Sequence, residues 1–265
     1  MPAPSVDDRG ARDAYRRLAA VYDTVYAWKD YRAEARRIRS LIRQYGPRRS
    51  RTLLDVACGT GAHLRHLTPY YRVTGLDLNP AMLREARRNV PGVRFVRGAM
   101  QRFRRPDRYD VITCLFSAIG YVRSERELRR TIANFARHLN PGGLVLVEPW
   151  FAPSEYRAGS VHLGTYGSPE RPIARMNVSE RQGSRSVMDM HYLVPAHGRI
   201  RYWVERHELT MFDASTYRAA FRAAGLGVRR VPSRFTSERG LYVGVRPAPA
   251  RASRFRPRPG RRISR

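Results

Sequence analysis

Apolar positions in this chain follow two rhythms. Between residues 11 and 45 they recur three and four apart (Leu18, Val21, Val25, then Ile38, Leu41, Ile42), which predicts one or two helices, ended by Gly46-Pro47. Short apolar runs then alternate with helical segments. The runs at 53–57, 72–77, 93–96, 109–115 and 144–148 predict strands, and the segments near 61–68, 80–90 and 125–139 predict helices. Asn79-Pro80 starts a helix with Asn as cap and Pro in the first turn. Pro91-Gly92 and Asn140-Pro141-Gly142-Gly143 predict breaks. Strands alternating with helices predict an α/β fold whose parallel sheet is covered on both faces.

Between 172 and 210 the rhythm changes to period two. Ile173, Arg175 and Asn177 alternate with Ala174, Met176 and Val178; Met188, Met190 and Tyr192 share one parity, and so do Ile200, Tyr202 and Val204. With Gly183-Ser184 and Gly198 as turns, this predicts an antiparallel meander inserted after the fifth strand. A helix at 213–224 and strands near 227–231 and 240–245 follow. The chain thus divides into an N-terminal helical segment (1–46), an α/β core (47–150), a β insert (151–212) and a return to the core (213–247). The remainder, 248–265, is rich in Arg, Pro and Ser and too poor in apolar residues to fold, so it is expected to be a disordered basic tail.

Candidate chemistry concentrates where the first strand ends. Leu53-Leu54-Asp55-Val56-Ala57-Cys58-Gly59-Thr60-Gly61 is an apolar run closing on an acid and a glycine-rich turn, and a second acid, Asp77, lies 22 residues after Asp55. Glycine lets backbone approach a ligand without a Cβ clash, and the second acid is placed to accept hydrogen bonds from ribose hydroxyls. The dinucleotide fingerprint is not met, because Leu64 stands where its third glycine would be. The phosphate loop is absent too: Lys29 is the single lysine and lies in another segment.

Composition refines this picture. A chain of 265 residues with 42% hydrophobic content can bury a sizeable core as one large domain or one domain with an insertion. It has no run of 18 apolar residues, and a polar N-terminus without an apolar signal core predicts a cytoplasmic location without membrane association. Cys58 and Cys114 make neither a disulfide framework nor a metal site and read as small core residues. The net charge of +29 has two readings, a nucleic-acid-binding face or an arginine-biased composition. The arginines are scattered over several helices and the tail, which favours bias, with nonspecific nucleic-acid binding as its side effect.

The run Asp55-Val56-Ala57-Cys58-Gly59-Thr60-Gly61 resembles motif I of the class I S-adenosylmethionine (SAM) methyltransferases. The resemblance implies a Rossmann-like sheet, mostly parallel with an antiparallel last strand, and SAM as cofactor. It also implies roles for residues. Asp55 would shape the turn and face the SAM amino group, while Ala57, Gly59 and Gly61 approach its amino-acid part. Asp77, with Leu78 beside it, would hold the ribose, and Met100 and Leu115 would pack on adenine. The family usually carries an acid after the third strand for the adenine amino group. Here Gly98-Ala99-Met100 has alanine, a loss of one hydrogen bond worth roughly 0.5–1.5 kcal/mol. The N-terminal segment corresponds to a lid with tyrosines over the SAM methionine and the substrate, which implicates Tyr22, Tyr26 and Tyr31; Tyr22 and Tyr26, four apart, share one helical face.

Further segments narrow the likeness: Cys114-Leu115-Phe116-Ser117-Ala118-Ile119-Gly120-Tyr121, Glu148-Pro149-Trp150, Met190-His191-Tyr192 and Arg239-Gly240-Leu241-Tyr242-Val243-Gly244. Together with the Tyr22–Tyr31 segment they resemble the nucleotide-sugar N,N-dimethyltransferases of the desosamine and mycaminose pathways, through about residues 15–246. Two positions depart from those relatives: Phe151 replaces a second tryptophan, and Tyr121 stands where some carry histidine. The resemblance implies a small amine-bearing acceptor, an insert that covers it, and a homodimer formed through that insert. Methyl transfer to an amine needs little beyond alignment, whereas an oxygen acceptor would want a base, for which His191, His207, Glu205 and Glu148 are candidates. His191 and the Glu205/His207 pair are expected to share one meander face. Tyr121 is placed where the methyl is delivered, and Trp150, His207 and Arg239 are candidate substrate contacts. The alternatives are an O-methyltransferase with a His or Glu base, a nucleic-acid (RNA) methyltransferase or RNA-binding protein exploiting the charge, and a SAM-binding protein without catalysis. The Asn/Asp-Pro-Pro-Tyr/Phe run used for adenine N-methylation is absent after strand four, where Leu115-Phe116-Ser117-Ala118 stands.

Overall fold

The computed structural model describes residues 17–196, 198–232 and 239–248. The helix start expected at 11–16 and the basic tail from 249 onward lie outside these residues.

Three of the helices form where a side-chain cap and an apolar stripe coincide. After a 3-10 turn at Leu18–Ala20 and a single turn α1 (Tyr22–Val25), α2 (Tyr31–Tyr45) starts at Asp30, whose side chain accepts from Ala33 N at 2.8 Å. Its buried stripe is Ala35, Ile38, Leu41 and Ile42. β1 (Thr52–Val56) leads to α3 (Ala62–Leu67), and β2 (Arg72–Asp77) leads to α4 (Pro80–Asn89), capped by Asn79 as expected. β3 (Arg94–Arg97) and β4 (Tyr109–Cys114) follow, then a 3-10 turn at Ala118–Tyr121 and α5 (Glu125–His138), which buries Leu128, Ile132 and Phe135. Fully burying each such side chain contributes roughly 1.5–3 kcal/mol. β5 (Leu139–Val147) ends this half.

Next come β6 (Val161–Tyr166), β7 (Ile173–Gln182), β8 (Arg185–Ala196) and β9 (Arg199–Thr210), then α6 (Ala214–Ala223), β10 (Gly227–Val231) and β11 (Leu241–Val245). The main sheet has the order β10-β11-β5-β4-β1-β2-β3. β1 to β5 are parallel, and β11 runs antiparallel to both β5 and β10. Apolar clusters cover both of its faces, one with α5 and α6 and one with α2 and α3. β6-β7-β8-β9 form a separate antiparallel sheet. Its inner face holds Ile173, Tyr192 and Trp203, which pack on Leu18 and Val25, so the N-terminal segment lies against this sheet. Tyr22 also packs on Ala81 and Met82 of α4.

Two sequence expectations need correction. The insert has a fourth strand, β6, which the pattern missed because it is an exposed edge interrupted by Gly164. Asn140-Pro141-Gly142-Gly143 follows the helix end as expected, at His138, but does not separate that helix from the next strand. It lies within β5 as a register shift, with Tyr109 opposite Leu139 and Val111 opposite Leu144, closed by hydrogen bonds between Gly142 or Gly143 and Arg246. In β9, Trp203, Glu205 and His207 are buried and Ile200, Tyr202 and Val204 are exposed, an orientation the alternation alone leaves open.

Candidate active site

The carboxyl ends of β1, β2 and β4 open into one cavity. After β1 the chain turns through Ala57, Gly59 and Gly61, all at positive φ (58°, 56° and 79°). A Cβ on Gly59 would stand in open space, in the cavity its backbone lines, so this residue leaves room for a ligand. A Cβ on Gly61 would instead press on Val90 Cγ2 at 3.1 Å. Gly61 serves the turn and the packing of α3 on α4, and the expectation that it lines the site is corrected.

Two carboxylates flank this turn. Asp77 accepts from Gly59 N through Oδ2 at 2.9 Å and from Asn79 N through Oδ1 at 2.8 Å, which fixes the turn while the carboxylate still lines the cavity. Burial raises its pKa against those hydrogen bonds. Asp55 accepts from Thr113 Oγ1 at 2.7 Å. Burial pushes its pKa up to about 6, opposed by His63 and by the Thr113 bond. Ala57, Leu78, Met100 and Leu115 also line the cavity, as the sequence predicts, and Ala99 lies on the wall without a carboxylate.

The N-terminal segment forms the cover. Tyr22 and Tyr31 line the cavity. Tyr22 packs on Tyr26 at 4.6 Å between ring centres, and Tyr26 meets Phe116 edge-on at 5.2 Å. Asp23 latches this segment to the glycine-rich turn, accepting from Thr60 Oγ1 at 2.6 Å and from Asn89 Nδ2 at 2.8 Å. Leu18 N donates to Glu205 Oε1 at 3.0 Å and so ties the segment to the meander.

After β4 the backbone is strained. Phe116 and Ser117, neither of them glycine, have φ of 51° and 58°. Glu148 Oε2 accepts from Phe116 N at 2.7 Å, and Ser117 Oγ donates to Pro149 O at 2.7 Å. Glu148 therefore holds the loop that carries Tyr121, which corrects its reading as a base. Sequence reasoning missed Phe116, His63 and Thr60 as wall residues; their signal was proximity to strand ends.

Tyr121 lines the cavity, and its Oη is 2.7 Å from His207 Nδ1. Trp150, His207 and Arg239 do not themselves line it among the described residues. His207 is buried behind Tyr121. Trp150 donates from Nε1 to Ser186 Oγ at 2.7 Å, and the Arg239 guanidinium lies over the Trp150 and Phe151 rings at 5.0 and 4.6 Å, with Glu148 Oε1 3.8 Å away. His191 does not share a face with Glu205 and His207. It pairs with Val204, while Met190 pairs with Glu205 and Met188 with His207, so strand parity turns His191 outward, where it bonds Tyr202 Oη at 2.7 Å. It is removed from the catalytic candidates.

A cavity with a glycine floor and an acid at each side of the turn is what a nucleoside-bearing cofactor requires, and comparison with known proteins settles which one. Residues 53–143 match the methyltransferase domain family. The chain is 41% identical over 231 residues, 86% of its own length and 97% of the relative's, to a dTDP-3-amino-3,4,6-trideoxy-alpha-D-glucopyranose N,N-dimethyltransferase of Streptomyces venezuelae. The chain is a SAM-dependent methyltransferase of the sugar N,N-dimethyltransferase family. Its fold matches the crystal structure of Streptomyces venezuelae DesVI with a TM-score of 0.82 at 40% identity, covering 87% of this chain and 98% of that one. It matches the SAM-bound amino pentose methyltransferase from Micromonospora echinaspora with a TM-score of 0.78 at 37% identity, covering 85% and 96%. The family, fold and cofactor implied by motif I are borne out. Among the described residues, no helix of this methyltransferase is long and apolar enough to cross a membrane.

Proposed function

We propose that this enzyme transfers methyl groups to the amine nitrogen of a nucleotide-linked amino sugar. SAM, when bound, supplies an electrophilic methyl on a sulfonium. The protein's part is to hold the donor and to bring a neutral amine into line with that methyl. Asp55 would hold the donor's amino group, and Asp77 its ribose hydroxyls. Met100 and Leu115 would flank adenine, while Tyr22 and Tyr31 would cover the methionine part; all of them line the cavity.

The observation that carries the acceptor assignment is the Tyr121–His207 pair at the cavity wall. Burial holds the His207 imidazole down to about 4 and pushes the Glu205 carboxyl behind it up to about 8. Both are therefore mainly uncharged at pH 7. An imidazole at about 4 is a weak proton acceptor, poorly matched to deprotonating a sugar hydroxyl. Desolvation, with the Arg175 cation also acting on His207, instead favours the neutral, nucleophilic form of an amine. The sugar-amine substrates named for the relative at 41% identity support the same reading.

We also propose a homodimer through the outer face of the meander. Leu163, Met176, His191 and Val204 pair across all four strands, and beside them run Thr165, Ala174, Leu193 and Tyr202. Leu163 is 69% exposed and Ile200 65%. An apolar sheet face of this extent is the kind of surface a second copy covers.

The acceptor is tested by incubating the enzyme and SAM with dTDP-linked 3-amino and 4-amino sugars and their hydroxyl counterparts, and reading product mass. Addition of two methyl groups to an amino sugar, with none to the hydroxyl analogue, is expected. Methylation of the hydroxyl analogue would overturn the assignment.

A further inference from the structure

Of 51 basic residues, Lys29 is the single lysine. Its side chain is fully buried, next to the cavity. An arginine-biased chain that keeps one lysine keeps it where a planar guanidinium is a poor replacement for a compact ammonium. Lys29 Nζ lies 4.8 Å from the Phe116 ring centre and 5.1 Å from that of Tyr31, and it donates to Glu34 Oε1. The other carboxylate oxygen, Glu34 Oε2, is 2.7 Å from His63 Nε2. The side chains of Glu34 and His63 are 6% and 9% exposed. Burial would raise the Glu34 carboxyl, but the hydrogen bond and charge of His63, then Lys29, hold it below its usual value. Tyr31, His63 and Phe116 all line the cavity that Asp55 faces, and Tyr31 meets His63 edge-on at 4.9 Å.

We propose that Lys29, Glu34 and His63 form a buried positioning chain that shapes the wall receiving the donor's amino-acid end. Lys29 fixes one oxygen of Glu34. Glu34 with its other oxygen fixes the His63 ring. His63, packed on Tyr31, then stands on the same wall as Asp55. It is also the strongest influence opposing the burial of Asp55; the other titratable groups near that carboxylate are Asp77, which adds to the rise, and the thiols of Cys58 and Cys114, which burial keeps protonated. None of the three chain residues belongs to the elements that carry Asp77, Met100 and Leu115. The proposal rests on the assignment of Asp55 to the donor's amino group.

Two ligands separate the ends of the site. S-adenosylhomocysteine carries the amino-acid part, and 5′-methylthioadenosine keeps adenine and ribose but lacks it. Calorimetry with the full chain compares both for wild type, Asp55→Asn, His63→Gln, Lys29→Met and Lys29→Arg. His63→Gln leaves the Lys29–Glu34 pair in place, so the test stands even where Lys29→Met fails to fold. His63→Gln and Lys29→Met are expected to weaken S-adenosylhomocysteine at least tenfold and to leave methylthioadenosine within twofold, with Lys29→Arg giving no rescue. Equal loss for both ligands, no loss for either, or full rescue by Lys29→Arg would overturn the proposal. Asp55→Asn keeps the two readings apart. If it spares the preference for S-adenosylhomocysteine, the Asp55 assignment fails. If it abolishes that preference while the chain variants keep it, the positioning chain alone fails.

Discussion

In the seven-stranded sheet, Leu53, Val111, Ile112 and Leu144 point into helices, and the acids Asp55 and Asp77 are confined to strand ends. In the four-stranded sheet the two classes mix: Asn177, Ser179, Glu205 and His207 are buried beside Ile173, Tyr192 and Trp203, while Val178, Ile200, Tyr202 and Val204 are outside. The first arrangement is what apolar burial alone dictates. The second costs free energy unless the inner polar groups find partners and the outer apolar ones find a cover. Glu205 accepts from Leu18 N of the N-terminal segment, and His207 pairs with Tyr121 at the cavity wall. The core sheet thus opens the cavity at its strand ends, and the meander packs one face on the N-terminal segment that covers the cavity and leaves the other face exposed.

The sharpest way to break this comparison is at the strand-end acids. Asp77→Ala removes the proposed ribose acceptor and also the partner of Gly59 N and Asn79 N. Hydrogen bonds to a charged group are worth about 1.5–3 kcal/mol each. The affinity for S-adenosylhomocysteine should fall about a hundredfold, read by calorimetry, with little change in association state. An unchanged affinity would remove Asp77 from the cofactor's contacts.

The next test is on the outer face. Ile200→Glu places a charge in the apolar surface. If a second copy covers that surface, its dissociation constant should rise by about two orders of magnitude, nearly 3 kcal/mol, in sedimentation equilibrium. S-adenosylhomocysteine binding should stay within about twofold, because the donor site belongs to the other sheet. A wild-type enzyme that sediments as a monomer at all concentrations would sink the dimer.

The same contrast explains what was legible beforehand. Glycines, acids and apolar strands in the core carry local rules, so Leu53–Gly61, Asp77 and the Asn79 cap could be read directly, and the structure puts Asp55, Gly59, Asp77 and Leu115 on one wall. In the meander a period of two fixes which residues share a face but not which face is inside. The register of β8 on β9, which sets Met190 opposite Glu205 and Met188 opposite His207, leaves no local mark, so His191 is expected on their face and lies on the other. Long-range partners were invisible for a different reason. Glu34 and His63 are 29 residues apart, and Tyr121 and His207 are 86 apart, so no local spacing marks them.

The smallest expected effect tests whether the inner meander face is neutral. Glu205 has a folded pKa of about 8, raised from the usual 4.5 by burial. A raised carboxyl binds its proton more tightly when folded than when unfolded. Its contribution to stability is complete below about pH 4.5 and disappears as pH rises through 8. His207, lowered from 6.5 to about 4, acts at the other end: its contribution is present above pH 6.5 and lost as pH falls toward 4. Asp55, at about 6, has largely ionised before the pH reaches 7. Across about pH 6.5 to 8 the difference between wild type and Glu205→Gln therefore reads Glu205. Wild-type unfolding free energy, from urea titrations of the ligand-free enzyme, should decline across that interval with a slope of at most about 1.4 kcal/mol per pH unit. Glu205→Gln keeps an oxygen for Leu18 N and has no proton to lose, so its curve should be flat there while the acid side still follows His207. A variant that retains the decline would mean that Glu205 is already ionised in the fold, a buried anion behind His207 rather than a neutral carboxyl.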